Sequence, residues 1–459
     1  MVTSIATPFI WLLMQQGVTP SELDRAIQQD AAASAASAAP PVSAPGGAPT
    51  TQTQTQTPQD TPAPESPPAT PLGEGATVPP AALSPLPATV EGAPFEQSAR
   101  RPGSSLMNPA MSAIFDGTFG YYGRHLADFK AAGLPPAGDD PSADREGFGM
   151  QEVELAFQSA IDPYLEGSLF LTIPNLEGLE VEEAFLVTTS LPLNLQVKAG
   201  SFRSQMGRNN TQHLHLQNFT RRPLFTSLLF GGDGMRGPGV QASVLLPLPW
   251  FATLYLEGFS LGAPDDPTLV TTFGGGGRRD PSNLTTAAVL EQYWDATENA
   301  SLMLGLNAAT GRLFDCAGAT PCPAGGVRAS RTLLYGGDLT FRWKPANVTR
   351  TYASVQWTTE LFFRSIGDGG QTEGAGYTEP VVQFARRWTV GGRLDVVGLP
   401  SGDALPRRYG YAGSLTFAPS EFSRFRLYAQ EITGPGIPSS TVAFLQTEVS
   451  LGAHGAHPY

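Results

Sequence analysis

The chain has 459 residues, 15% of them charged, with 28 basic against 41 acidic side chains and a formal net charge of −13 at pH 7. An acidic balance with no arginine-rich helical stretch offers a nucleic acid no electrostatic footprint. No run of 18 or more apolar residues occurs, so a hydrophobic spanning helix is excluded.

Residues 1–32 contain IATPFIWLLM, Ile5 to Met14, which has the form of the apolar centre of an export signal. The small-residue run ASAASAA that follows suits a cleavage site, although no Lys or Arg precedes the apolar run. Residues 33–107 are almost wholly Ala, Pro, Thr, Ser, Gly and Gln, including TQTQTQTP at Thr51 to Pro58. Such a segment cannot bury enough apolar surface to offset its ordering entropy, and it reads as a disordered, polyproline-like linker. The folded part is expected at 108–459, where no second break in composition appears.

From residue 110 onward one pattern recurs. In MQEVELAFQS, Val153, Leu155 and Phe157 alternate with Glu152, Glu154 and Gln158. In NLQVKAG, Leu195, Val197 and Ala199 alternate with Gln196 and Lys198, and in GGDLTFRWK, Leu339, Phe341 and Trp343 alternate with Asp338, Thr340 and Arg342. In RFRLYAQ, Phe425, Leu427 and Ala429 oppose Arg424, Arg426 and Tyr428. A period of two places each set on one face of a strand.

The connections between these runs alternate too. Tight turns are expected at Asp162-Pro163, Pro192-Leu193, Pro247 to Pro249, Glu298-Asn299, Pro345 to Val348 and Pro419 to Glu421. Long loops fall at 123–147, 203–238, 262–283, 312–330 and 365–376. The count is about sixteen strands, from Ala110–Tyr122 to Thr441–Leu451. Short turns on one rim and long loops on the other define an all-β, antiparallel, up-and-down transmembrane barrel of the bacterial outer membrane. A soluble sandwich shares the alternation but does not explain strands of this length and number. Trp250, Phe251, Trp343, Trp388 and Phe422 lie near the expected turns, where amphipathic rings collect at a bilayer boundary.

Lys198, Arg342, Arg424 and Arg426 fall on the lumen parity. The loop 203–238 holds Arg203, Arg208, Arg221, Arg222 and Arg236 against Asp233 alone, and it is expected to fold into the pore as a constriction. Those arginines would favour anions, or would instead bind anionic sugars at the rim. Four of the five histidines form two pairs, His213 with His215 and His454 with His457. On an extended segment, residues two apart project to one side, so His213 and His215 could share a metal such as zinc, with Asp233 or the C-terminal pair completing the set. The other reading makes the histidines polar packing groups of the loop, with no cofactor. Cys316 and Cys322, in DCAGATPCPAGG, suit a small disulfide of an exported protein, or two free thiols. No nucleophile motif or triad spacing stands out, and the chain is not read as an enzyme.

The stretches GFGMQEVELAFQSAIDPYLEGSLFLTI, VEEAFLVTTSLPLNLQVKAGSFRSQMGRNNTQHLHL and VSLGAHGAHPY together resemble a porin-like family of outer-membrane barrels whose members are often labelled zinc-regulated, TonB-dependent receptors. The resemblance spans roughly 108–459 and is similar, more distantly, to phosphate-selective porins. It implies a barrel in contact with outer-membrane lipid, passing small solutes or ions, with an oligomer open. It does not extend to a TonB plug, because residues 1–107 are too short, too Pro-rich and too poor in apolar residues to fold as one. The Pro-rich arm supports a different function, a structural barrel docking a periplasmic protein partner of an envelope-spanning assembly, since polyproline extends by about 3.1 Å per residue.

Overall fold

The computed structural model describes residues 109–124, 146–176, 178–231, 234–261, 273, 284–315, 328–345, 352–367, 370, 372–401, 407–435 and 437–452. The expected segments 1–32 and 33–107, the Cys316–Cys322 pair, Asp233, His454 and His457 lie outside the described residues.

Sixteen strands follow one another in chain order: β1 Ala110–Tyr122, β2 Gly147–Asp162, β3 Leu165–Pro174, β4 Glu180–Thr188, β5 Leu195–Arg203, β6 Arg236–Leu245, β7 Phe251–Phe259 and β8 Thr285–Thr297 form the first half. The second half is β9 Ala300–Asp315, β10 Arg328–Trp343, β11 Ser354–Ile366, β12 Thr372–Ala385, β13 Trp388–Leu399, β14 Arg408–Ser420, β15 Ser423–Gly434 and β16 Ile437–Gly452. Each strand pairs antiparallel with its neighbours in sequence, and β16 returns to β1 to close the barrel. The seam runs from Tyr122 opposite Val442 to Ser112 opposite Gly452, so no edge is left unpaired.

The alternation of the sequence is the alternation of the wall. On β15, Phe425 and Leu427 are exposed on the outside while Arg426 and Tyr428 are buried inside. On β16, Leu445, Val449 and Leu451 face out, and Val442, Phe444, Gln446 and Glu448 face in. An outer surface of Leu, Val, Phe and Trp around a closed wall is stable only against lipid, where every backbone group must find its partner within the wall. Among the described residues no helix is long and apolar enough to cross a membrane. The chain crosses with strands.

Turn chemistry explains the short connections. Between β4 and β5, Leu193 and Asn194 both have positive φ, 63° and 54°, and Leu195 donates to Pro192 O at 3.2 Å. Two left-handed central residues make the turn type whose twist matches paired strands. The connection between β12 and β13, at Arg386-Arg387, carries no Gly, Pro or Asn and is not legible as a turn. β9 and β10 run to Asp315 and from Arg328, further into the expected loop 312–330 than the alternation indicates.

Bulges break the period of two at several places, and two of them bear on the inner face near β2 and β4. Opposite β1 the register slips so that Asp116 faces Glu152 and Gly117 faces Met150, leaving Gln151 as the extra residue of β2. Opposite β3, Phe170 faces Glu183 and Leu171 faces Val181, leaving Glu182 as the extra residue of β4. A bulge re-aims a side chain, and here Gln151 joins Glu152, and Glu182 joins Glu183, on the buried inner face.

Candidate functional site

The segment between β5 and β6, described over 204–231 and 234–235, lies inside the barrel and is buried along most of that length. Its two ends are tied together. Ser204 N donates to Met235 O at 2.9 Å, and the Asn210 side chain donates to Ser204 O at 2.8 Å and Met235 O at 3.1 Å. The Asn210 Oδ1 then accepts from Met235 N at 2.7 Å. One side chain thus satisfies the backbone at both feet of the insert. Gly234 (φ +79°) is required beside it, because a Cβ there would stand 2.3 Å from Asn210 Oδ1.

From this clasp the insert crosses to the wall on every side. Gln205 N donates to Glu257 on β7 at 2.9 Å, Gly207 N to Asn307 on β9 at 3.2 Å and Asn209 N to Glu360 on β11 at 2.7 Å. Arg393 on β13 donates to Arg221 O at 2.8 Å and pairs with Asp395, which accepts from Leu224 N at 3.0 Å. Arg426 on β15 donates to Gln217 O at 2.7 Å, and Gln151 on β2 to Thr220 O at 3.3 Å. Two short turns, Leu214–Leu216 and Thr226–Phe230, fold the segment back between these anchors.

Apolar packing fills the space between the polar anchors. Phe219, Leu224, Phe225, Leu229 and Phe230 of the insert are buried against Phe202, Phe259, Phe362, Tyr377, Val397 and Tyr428 of the wall. Phe225 stacks on Phe362 and Tyr377, with centroids 5.6 and 5.5 Å apart. The alternation leads one to expect a wet inner face throughout, and the structure differs. At the level of the insert the inner face carries aromatics, because buried backbone and apolar side chains need a dry partner. Each buried side chain of this size contributes on the order of 1.5–3 kcal/mol.

The cationic residues are held by acids and carbonyls of the wall and insert. Arg203 pairs with Glu182 and lies 3.8 Å from Glu183. Arg208 lies in the field of Glu291, Asp338 and Glu360. Arg222 donates to Gln212 O at 2.9 Å, Arg221 is buried, and Arg236 donates to Glu182 O at 3.0 Å. Arg424 pairs with Glu448 and donates to His215 O, while Arg426 donates to Gln446 at 2.7 Å. Arg342 donates to Gln356 at 3.1 Å, and the Lys198 ammonium sits 4.8 and 5.3 Å from the Phe185 and Phe202 rings.

The rings of His213 and His215 lie 5.7 Å apart, with His215 in the short turn Leu214–Leu216 rather than on an extended segment, and each histidine gathers a different set of acids around the shared Glu154. The groups facing them are carboxylates of β2 and β4, far from them in sequence. His213 Nδ1 is 3.2 Å from both Glu154 Oε2 and Glu182 Oε2, His213 Nε2 is 3.1 Å from Glu183 Oε1, and His215 Nδ1 is 3.1 Å from Glu154 Oε2. The one available signal was parity, since Glu152 and Glu154 sit on the inward set of β2. Nothing local marks Glu182, which reaches the lumen only through its bulge.

A closed wall of sixteen antiparallel strands, apolar outside and charged within, defines a transmembrane β-barrel of the outer-membrane kind. No family model matches the chain. It is 30% identical over 357 residues, 69% of its own length and 71% of the relative's, to a protein of Aquifex aeolicus (strain VF5) that bears the description "Uncharacterized protein". The chain belongs to the family of that protein. Among solved structures it is similar to the trimer form of OmpT of Vibrio cholerae, at 7% identity over 75% of this chain and 99% of that one, with a TM-score of 0.49. It is similar also to an anion-selective porin from Comamonas acidovorans, at 10% identity over 75% and 99% of the two chains and a TM-score of 0.48. OprB of Pseudomonas putida likewise gives 10% identity, 75% and 94% coverage and a TM-score of 0.48.

Proposed function

We propose that the protein is a porin-like outer-membrane channel for small hydrophilic solutes or ions, and that the insert 204–235 is its constriction. The observation that carries this reading is the docking of one long inter-strand segment around the inside of a sixteen-strand wall, with partners on β2, β7, β9, β11, β13 and β15. A barrel of about sixteen strands is wide enough to hold water, so a segment fixed across it sets the bore. Arg208 lies in the field of acids of the wall and Arg222 donates to carbonyls of the insert itself, so the first role of both is to fix the segment in place. Any selectivity then comes from the balance of charge left along the remaining passage.

Planar-bilayer recordings on the purified, folded protein test the proposal. Discrete conductance steps are expected, and Asn210→Ala, which unties the two feet of the insert, should give larger or noisier steps. A folded protein that produces no steps would sink the channel reading. Steps that Asn210→Ala leaves unchanged would remove the insert as the constriction.

A further inference from the structure

We propose that His213, Glu154 and Glu182 form a binding site for one divalent transition-metal cation, at the junction of the insert with β2 and β4. The three ligand atoms, His213 Nδ1, Glu154 Oε2 and Glu182 Oε2, belong to a group whose members all lie within 4.8 Å of one another, and all three residues are buried. The nitrogen is 3.2 Å from each oxygen. Atoms bonded at 2.0–2.1 Å to one tetrahedral ion stand about 3.3 Å apart, so both separations from Nδ1 match those of ligands on a common ion, and the two oxygens lie within 4.8 Å of each other.

Electrostatics and orientation point the same way. His213 Nδ1 and Glu182 Oε2 are placed for a hydrogen bond at 3.2 Å, so either a proton on Nδ1 or a cation shared with Glu154 Oε2 would relieve the repulsion of these three converging atoms. Glu154 Oε2 is buried and accepts no well-directed hydrogen bond, although two ring nitrogens stand 3.1 and 3.2 Å from it. Such contacts at poor hydrogen-bond angles fit lone pairs aimed at a shared point. The opposite side of the ring is arranged as well. His213 Nε2 faces Glu183 Oε1 at 3.1 Å, and a proton held there leaves Nδ1 as the ligand atom. Metal-binding imidazoles almost always donate from their second nitrogen to a carboxylate, a backbone carbonyl or water, and Glu183 fills that place here. Glu182 is oriented too, since its Oε1 engages Arg203 and its Oε2 is turned to the site.

The donor set names the class of ion. Imidazole with carboxylate suits zinc and the neighbouring first-row dications, whereas magnesium and calcium prefer all-oxygen sites. Four carboxylates, Glu152, Glu154, Glu182 and Glu183, gather on this part of the wall and supply the negative charge that a dication neutralises. The proposal stands apart from conduction, because the site braces the insert against the wall whether or not solute passes.

The test is metal retention by the full-length, folded protein, stripped with chelator, loaded with Zn²⁺ and dialysed. One equivalent per chain is expected, lost in His213→Asn and in Glu182→Gln and kept when His454 and His457 are both replaced by Ala. Folding of each variant is checked by its circular dichroism and by heat-dependent gel mobility. For wild type alone, Co²⁺ loading should give the intense visible band of a tetrahedral ion with nitrogen and oxygen ligands, which needs no variant. No retained zinc would overturn the proposal, and so would retention that disappears only with His454 and His457. A weak octahedral cobalt spectrum would do the same, leaving protonated histidines as the cations of the cluster.

Discussion

At the scale of single residues, depth and partnership decide what a substitution does. Leu195 and Leu427 both face outward, at 38% and 55% exposure, yet they sit differently along their strands. Leu195 opens β5 directly after a tight turn, whereas Leu427 lies within β15, between Leu415 and Leu445 on its neighbours. Leu427→Arg should therefore cost roughly 2–4 kcal/mol and Leu195→Arg only about 0–1, as the charge moves from the bilayer interior toward its boundary. Urea unfolding from lipid vesicles measures both, and equal costs would contradict this placement of the strands. Inside the wall the relevant pair is Arg393 with Asp395, 3.1 Å apart, neither side chain having any exposure. Arg393→Ala strands a buried carboxylate and two carbonyls of the insert and should cost about 3–5 kcal/mol, with the double change to Ala at both positions costing less than the single one. A double variant less stable than Arg393→Ala would show that Asp395 contributes independently of its partner.

At the scale of strands and turns, the rims of the barrel should be distinguishable from outside the cell. A cysteine at Gly275, in the long connection between β7 and β8, should react on whole cells with an impermeant thiol reagent, while one at Asn299, in the tight turn between β8 and β9, stays protected. The reverse pattern would invert the barrel in its membrane. Strand existence and facing were legible because lipid on one side and charge on the other impose strict parity, as in β1, whose limits Ala110–Tyr122 are read directly from the sequence. The candidate site was half legible. His213 and His215 are neighbours in sequence and announce themselves, but Glu154 and Glu182 reach them only through pairing of β2, β3 and β4 and a one-residue bulge. The dry belt had a faint signal, namely aromatics sharing the inward parity with acids, as Tyr255 and Phe259 do with Glu257, or Phe362 with Glu360. Period-two reasoning treats such positions as exceptions, because it has no means of knowing that another segment will lie against them.

At the scale of the whole molecule, closure and filling are separate achievements. Gly452 ends the seam at φ +92°, where a Cβ would come 2.3 Å from Met111 O, so the last rung beside β1 is shaped for a residue without a side chain. Closure alone yields a thin hoop, one strand thick, that can flatten when the surrounding bilayer presses unevenly on it. The insert changes the mechanics. Bonds to β2 and β15 on one flank and to β7, β9 and β11 on the other act as struts joined through the insert, which itself packs on β11 and β12 through Phe225. Flattening the hoop would shorten some struts and stretch others, so the cross-section should hold its outline through changes in membrane tension and thickness that would deform an unbraced barrel of the same girth. In the channel proposed above, a solute would meet an opening whose dimensions are insulated from the state of the lipid around it.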